Sequence, residues 1–177
     1  MKKYLAALAL AFSLMMATSA MAATDPDNIL YIDTKDGRIT IEMRPDLAPR
    51  HVARVKELVR QHFYDGLTFH RVIPGFMAQG GDPNGNGTGG SGVKLKAEFS
   101  SEPFLRGVVG AARAGYSNDT ADSQFFIMYA LQPSLDGQYT VWGKVIAGMD
   151  VVDQITPGEP PLVADKIVKM SIASDTK

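Results

Sequence analysis

The sequence predicts a mainly β domain: a closed eight-stranded antiparallel β-barrel capped by two short α-helices. Eight short segments between residues 28 and 173 are rich in β-branched and aromatic side chains or alternate apolar with polar residues. Only two segments, beginning near Pro49 and Gly148, read as helices. So many short strands in so small a domain favour closure, because a closed sheet has no unpaired edges to recruit other chains. A β-sandwich is the alternative that the same pattern allows.

The N-terminus comes first. Lys2 and Lys3 precede an apolar run of about 13 residues from Leu5 to Ala17, and then come Thr18, Ser19 and Ala20. That order is expected of a secretory signal peptide spanning residues 1–22, with Ala20-Met21-Ala22 placing cleavage before Ala23. The run is shorter than the roughly 20 residues a membrane-spanning helix needs, and no later run exceeds it, so no stable membrane anchor is expected. Residues 23–177 then form one domain with its core over about 28–173, long enough to bury a sizeable apolar interior. A retained N-terminal core helix is the competing reading of the leader.

Asn28 to Asp33 and Arg38 to Met43 read as a hairpin turning at Lys35, Asp36 and Gly37. Pro49 suits a first helical turn, and Val52, Val55, Leu58 and Val59 recur at helical spacing. Strands follow at Thr68 to Ile73, Phe76 to Gln79, Val108 to Ala112, Gln124 to Tyr129 and Thr140 to Ile146. Gly148 to Ile155 fits a short second helix, Thr156-Pro157-Gly158 stops it, and Lys166 to Ala173 is the closing strand.

Composition narrows the chemistry. The net charge is −1, and loss of the two leader lysines makes the mature chain more acidic, so it has no global attraction for nucleic acid or anionic lipid. The absence of cysteine excludes disulfides, thiolate catalysis and a lipid-anchored cysteine. The three histidines, His51, His62 and His70, form no metal motif, and His51 and His62 fall around a surface-like helix. Ser91 lies between glycines without the spacing of a nucleophile elbow. The segment GGDPNGNGTGGSG, Gly80 to Gly92, has the composition of a phosphate cradle but neither its Gly-Lys-Ser/Thr ending nor a following helix, and reads as a turn-rich loop. No cofactor and no metal are expected.

One long string stands out: Phe69-His70-Arg71-Val72-Ile73-Pro74-Gly75-Phe76-Met77-Ala78-Gln79-Gly80-Gly81-Asp82. It resembles the cyclophilin signature. Asp122-Ser123-Gln124-Phe125-Phe126-Ile127 resembles the family's other hallmark, and Leu135-Asp136-Gly137 and Val141-Trp142-Gly143-Lys144-Val145 follow in the family's order. The correspondence runs from about Asn28 to Ala173. It implies a peptidyl-prolyl cis/trans isomerase, a monomer acting on proline-containing unfolded or partly folded polypeptides. With the leader, that means assistance to the folding of exported proteins in a bacterial periplasm. A proline-binding holdase or scaffold without turnover is the alternative.

The chemistry suits this residue set. Rotation about a peptide bond is opposed by about 18 to 20 kcal/mol of lost resonance, and no covalent intermediate is required to lower that barrier. A catalyst needs an apolar slot for the proline ring and a donor that favours the twisted amide. By the resemblance, Arg71 is the catalytic donor and Gln79 orients it and bonds substrate backbone. Phe76, Met77, Phe126 and Leu135 wall the proline pocket, and Ala112 lets the substrate backbone pass. Alternation alone cannot separate Phe126 from Phe125; the family register chooses Phe126. His70 looks structural, and Trp142 falls where a core aromatic is expected.

Three positions depart from the family. Ser134 stands where many members carry a tryptophan associated with cyclosporin binding, so weak cyclosporin binding is expected. Tyr139 replaces a frequent pocket histidine and still offers an aromatic edge and a hydroxyl. Arg113 replaces a frequent asparagine and favours acidic neighbours in the substrate.

Overall fold

The computed structural model describes residues 25–176, so the expected leader and its cleavage site lie outside the described residues. Eight antiparallel strands form one curled sheet: β1 Ile29–Thr34, β2 Gly37–Met43, β3 Arg71–Ile73, β4 Met77–Gly80, β5 Val108–Ala111, β6 Phe125–Met128, β7 Val141–Ala147 and β8 Lys169–Ile172. Their spatial order is β3-β4-β6-β5-β7-β2-β1-β8. Two helices accompany the sheet, α1 Pro49–Arg60 and α2 Met149–Val152. The predicted elements are all present, with ends moved by a few residues.

Two strands start three residues late: β3, expected from Thr68, and β8, expected from Lys166. Residues 66–69 instead run beside residues 165–167, with Gly66 N–H donating to Ile167 O (2.7 Å), Ile167 N–H to Leu67 O (2.8 Å) and Phe69 N–H to Asp165 O (2.9 Å). These bonds link the chain entering β3 to the chain entering β8, the two end strands of the sheet. Helix α2 is four residues long rather than eight, because the chain after Val152 passes into turns.

Side-chain alternation along the strands separates two apolar clusters. Phe125 and Ile127 of β6 join the larger cluster, together with Trp142, Val109, Ala78, Val72 and the inward faces of both helices. Phe126 and Met128 point the other way, into a smaller cluster with Met77, Val108 and Val141. Around β5 and β6 the sheet is thus apolar on both faces, which is why Val108–Ala111 and Phe125–Met128 read as continuous apolar runs, whereas β2 and β8 alternate.

Helix α1 buries Val52, Val55, Leu58 and Val59, as its periodicity predicts, but it also buries His51 at 1 % exposure. That corrects the expectation of His51 on a surface-like helix. The side chain of Ala48 cannot cap the helix, and Glu98, brought in from the long β4–β5 connection, does so instead. Its carboxylate accepts from the backbone N–H groups of Arg50 (3.1 Å) and His51 (3.0 Å) and lies 2.6 Å from His51 Nδ1. His62, just past the helix, is exposed.

Candidate active site

The strand pleat assembles the site on the face of the smaller cluster. Arg71 on β3 and Gln79 on β4 are paired across the ladder, with Val72 and Ala78 between them turned into the larger core. Gln79 in turn faces Phe126 on β6, and Gly110 on β5 faces Phe126 from the other side. Phe76 and Met77 follow the Pro74-Gly75 turn, Leu135 and Tyr139 come from the connection between β6 and β7, and Ala112 and Arg113 continue from β5. All nine of these predicted residues (Arg71, Phe76, Met77, Gln79, Ala112, Arg113, Phe126, Leu135 and Tyr139) line a single cavity of about 130 Å³. That is well below the roughly 300 Å³ at which sites for drug-sized ligands begin, and it fits a small ring.

The floor is aromatic. Phe126 stacks on Phe104 with centroids 5.7 Å apart and meets the edge of Tyr139 at 5.7 Å. Gly110 makes that packing possible: a Cβ there would stand 2.4 Å from Phe126 Cζ. The alternation that could not rank Phe125 against Phe126 is resolved by position, since Phe125 lies in the larger core against Trp142.

Two cations stand at the rim. The Arg113 guanidinium lies 4.6 Å over the Tyr139 ring and donates through Nε to Gln138 O at 3.1 Å. Arg71 donates through Nε to Glu159 Oε2 at 2.7 Å. The expected Gln79–Arg71 hydrogen bond is not present: Gln79 Nε2 donates to Gln124 Oε1 at 2.9 Å, and Glu159 takes the guanidinium. Gln124 donates onward to the carbonyls of Gly87 (3.1 Å) and Gly89 (2.8 Å), so Gln79 is tied to the glycine loop. His70 is buried just before β3, next to Arg71, and burial above all lowers its pKa, favouring the neutral ring.

The glycine loop has its own anions. Asp82 accepts from the N–H groups of Asn84 (2.8 Å), Asn86 (3.0 Å) and Gly87 (2.5 Å). Asp122 accepts from Ser91 N–H at 2.7 Å and Gly92 N–H at 3.1 Å. Donors that a phosphate would need are occupied by carboxylates of the chain itself. Burial opposes ionisation of both acids, yet the three backbone donors hold the Asp82 pKa below the usual range, and the Ser91 hydroxyl and N–H with the nearby Lys94 ammonium do the same for Asp122. Among the described residues no group of three or more His, Asp or Glu is placed to hold a metal ion.

A family model described as cyclophilin type peptidyl-prolyl cis-trans isomerase/CLD matches residues 29–172. The chain belongs to the cyclophilin family of peptidyl-prolyl cis-trans isomerases. It is similar to a probable peptidyl-prolyl cis-trans isomerase of Brucella suis, 52% identical over 178 residues, covering 91% of this chain and 90% of the relative. A cyclophilin from Hirschia baltica has the same fold, with a TM-score of 0.80 and 30% identity over 87% of this chain and 77% of that one. A Cryptosporidium parvum cyclophilin solved in the presence of the dipeptide Ala-Pro superposes with a TM-score of 0.76 at 29% identity, over 81% of this chain and 98% of that one.

Four residues that shape this cyclophilin's site were not legible as such. Phe104 lies in an irregular segment with no alternation to place it, and is held by donation from its N–H to Asp136 Oδ1 at 2.8 Å. Gln124 sits inside the second hallmark block without an assigned task. Gly110 did leave a signal, a lone glycine within a strand pattern. Glu159 lies just past the Thr156-Pro157-Gly158 helix stop, in a proline-rich stretch with no pattern to mark it.

Proposed function

We propose that the cavity lined by Arg71, Phe126 and their seven companions is where this cyclophilin turns X-Pro bonds. The convergence of the Arg71 guanidinium and an apolar floor on a space of about 130 Å³ carries that reading. The proline ring enters between Phe76, Met77, Phe126 and Leu135, and the terminal nitrogens of Arg71 donate to the amide as it twists. An arginine cation exchanges no proton at neutral pH, so it acts throughout as a fixed donor. Proline-containing peptides are the substrate class, in line with the Ala-Pro dipeptide used with the Cryptosporidium relative.

Magnetisation-exchange NMR on a short Ala-Pro peptide tests this. Removing a donor aimed at the transition state costs about 10² to 10³ in rate. Arg71→Ala is expected to lose that much while still binding the peptide. Binding by the unaltered chain without any acceleration would instead assign it to a holdase.

Further parts of the reading rest on the sequence. The Lys2-Lys3 start, the apolar run and Ala20-Met21-Ala22 support export to the periplasm as a mature domain of residues 23–177. N-terminal sequencing of the fractionated protein would identify the cleavage point. The serine at position 134, exposed beside Leu135, supports weak cyclosporin binding. Closure of the sheet into a barrel is supported by the hydrogen bonds joining residues 66–69 to 165–167.

A further inference from the structure

Glu159 lies outside the nine cavity residues, yet it is the protein partner of the guanidinium on which the proposed chemistry depends. Its Oε2 accepts from Arg71 Nε at 2.7 Å, and the two residues line a hollow beside the cavity together with His70, Gln79 and Pro160. The meeting is fixed by backbone. Val72, which follows Arg71, donates its N–H to Gly158 O at 2.8 Å and accepts from Gly158 N–H at 2.9 Å. Gly158 immediately precedes Glu159, so the pair of bonds sets the carboxylate next to the arginine.

Only glycine serves at 158. Its φ is +151°, and a Cβ there would stand 2.4 Å from Pro161 Cα. Pro157, Pro160 and Pro161 restrict the flanking backbone further. The loop backbone is therefore built to hold its shape where it presents Glu159 to Arg71.

The choice of nitrogen matters. A guanidinium has five N–H donors, one on Nε and four on the terminal nitrogens. Glu159 takes the first, and among the described residues no protein acceptor takes the other four. An arginine held by Nε has surrendered part of its rotamer freedom before substrate arrives, and its remaining donors are aimed as a unit.

We propose that Glu159 is a positioning residue for isomerisation, pinning Arg71 through Nε so that the terminal nitrogens face the proline cleft. This rests on Arg71 being the catalytic donor. Both partners are about half exposed, at 41% and 51%, so the contact is of the weak surface class and its removal acts modestly.

The test measures kcat and KM of the purified chain on an Ala-Pro peptide for wild type, Glu159→Ala, Glu159→Gln and Arg71→Ala, with unfolding temperatures alongside. Glu159→Ala is expected to lower kcat by about two- to fivefold with KM and unfolding temperature little changed. Glu159→Gln, which keeps an acceptor, is expected to fall between it and wild type. The Arg71 Nε–H resonance should shift and exchange faster with water in Glu159→Ala. An unchanged or raised kcat, a change confined to KM, or an unmoved Nε–H signal overturns the role of Glu159 while Arg71→Ala still identifies the donor. Wild-type rates for Arg71→Ala would remove the mechanism on which this role depends.

Discussion

At position 110 a single missing methyl group decides the shape of the site. The ring of Phe126 occupies the space that a side chain at 110 would fill, and Phe104 is close behind, with its Cε1 2.9 Å from a Cβ placed there. Gly110→Ala is expected to cost about 1 to 3 kcal/mol through overpacking. Because the displaced ring belongs to the cavity floor, kcat/KM should fall together with the urea midpoint. A variant that loses stability but keeps full activity would show that Phe126 relaxes away from the cleft. The cavity residues were legible because a long motif supplied their register. Without it, Phe126 and Phe125 are equivalent, and only their opposite directions from the pleat distinguish floor from core. Phe104 and Glu159 were not legible, since each reaches the site from an irregular connection whose path no local periodicity encodes.

Helix α1 shows the same limit one level up. Its length and buried stripe follow from spacing, but its N-terminal cap comes from residue 98, and nothing in the sequence between them announces the pairing. Removing a helix cap costs about 0.5 to 2 kcal/mol. Glu98→Ala also strips His51 Nδ1 of its one hydrogen-bond partner among the described residues, so a loss at the upper end, about 2 kcal/mol, is expected in denaturant unfolding. Glu98→Gln, which still accepts, should lose less. The burial of His51 belongs here too: a histidine within a valine-rich helix reads as its polar face until the distant carboxylate is known.

Across the whole molecule, buried ionisable groups set the response to acid. Glu98, Asp82, Asp122 and Asp165 pay for burial but gain more from their hydrogen bonds, so each has a folded pKa below its ordinary value, 3.8 for the aspartates and 4.5 for the glutamate. Their stabilisation is complete above those values and is lost as pH falls through the lower folded ones. His70 adds an earlier slope: its folded pKa lies below 6.5, so the unfolded chain binds the proton first and stability declines as pH drops under 6.5. Unfolding midpoints followed by circular dichroism should fall gently from pH 6.5 and steeply below about 4. A flat profile down to pH 3 would contradict this. At this scale the eight-strand order of elements was readable from turn residues and β-propensity, whereas the spatial order β3-β4-β6-β5-β7-β2-β1-β8 was not, because long-range pairing leaves no mark within any one segment. The two-faced sheet has one further consequence. On β4 and β6, positions anchored in the larger core alternate with positions that open to the cleft, so a substitution at one of the latter reshapes the cleft while the larger core beneath keeps its residues. Selectivity can therefore drift quickly in such a scaffold without eroding its fold.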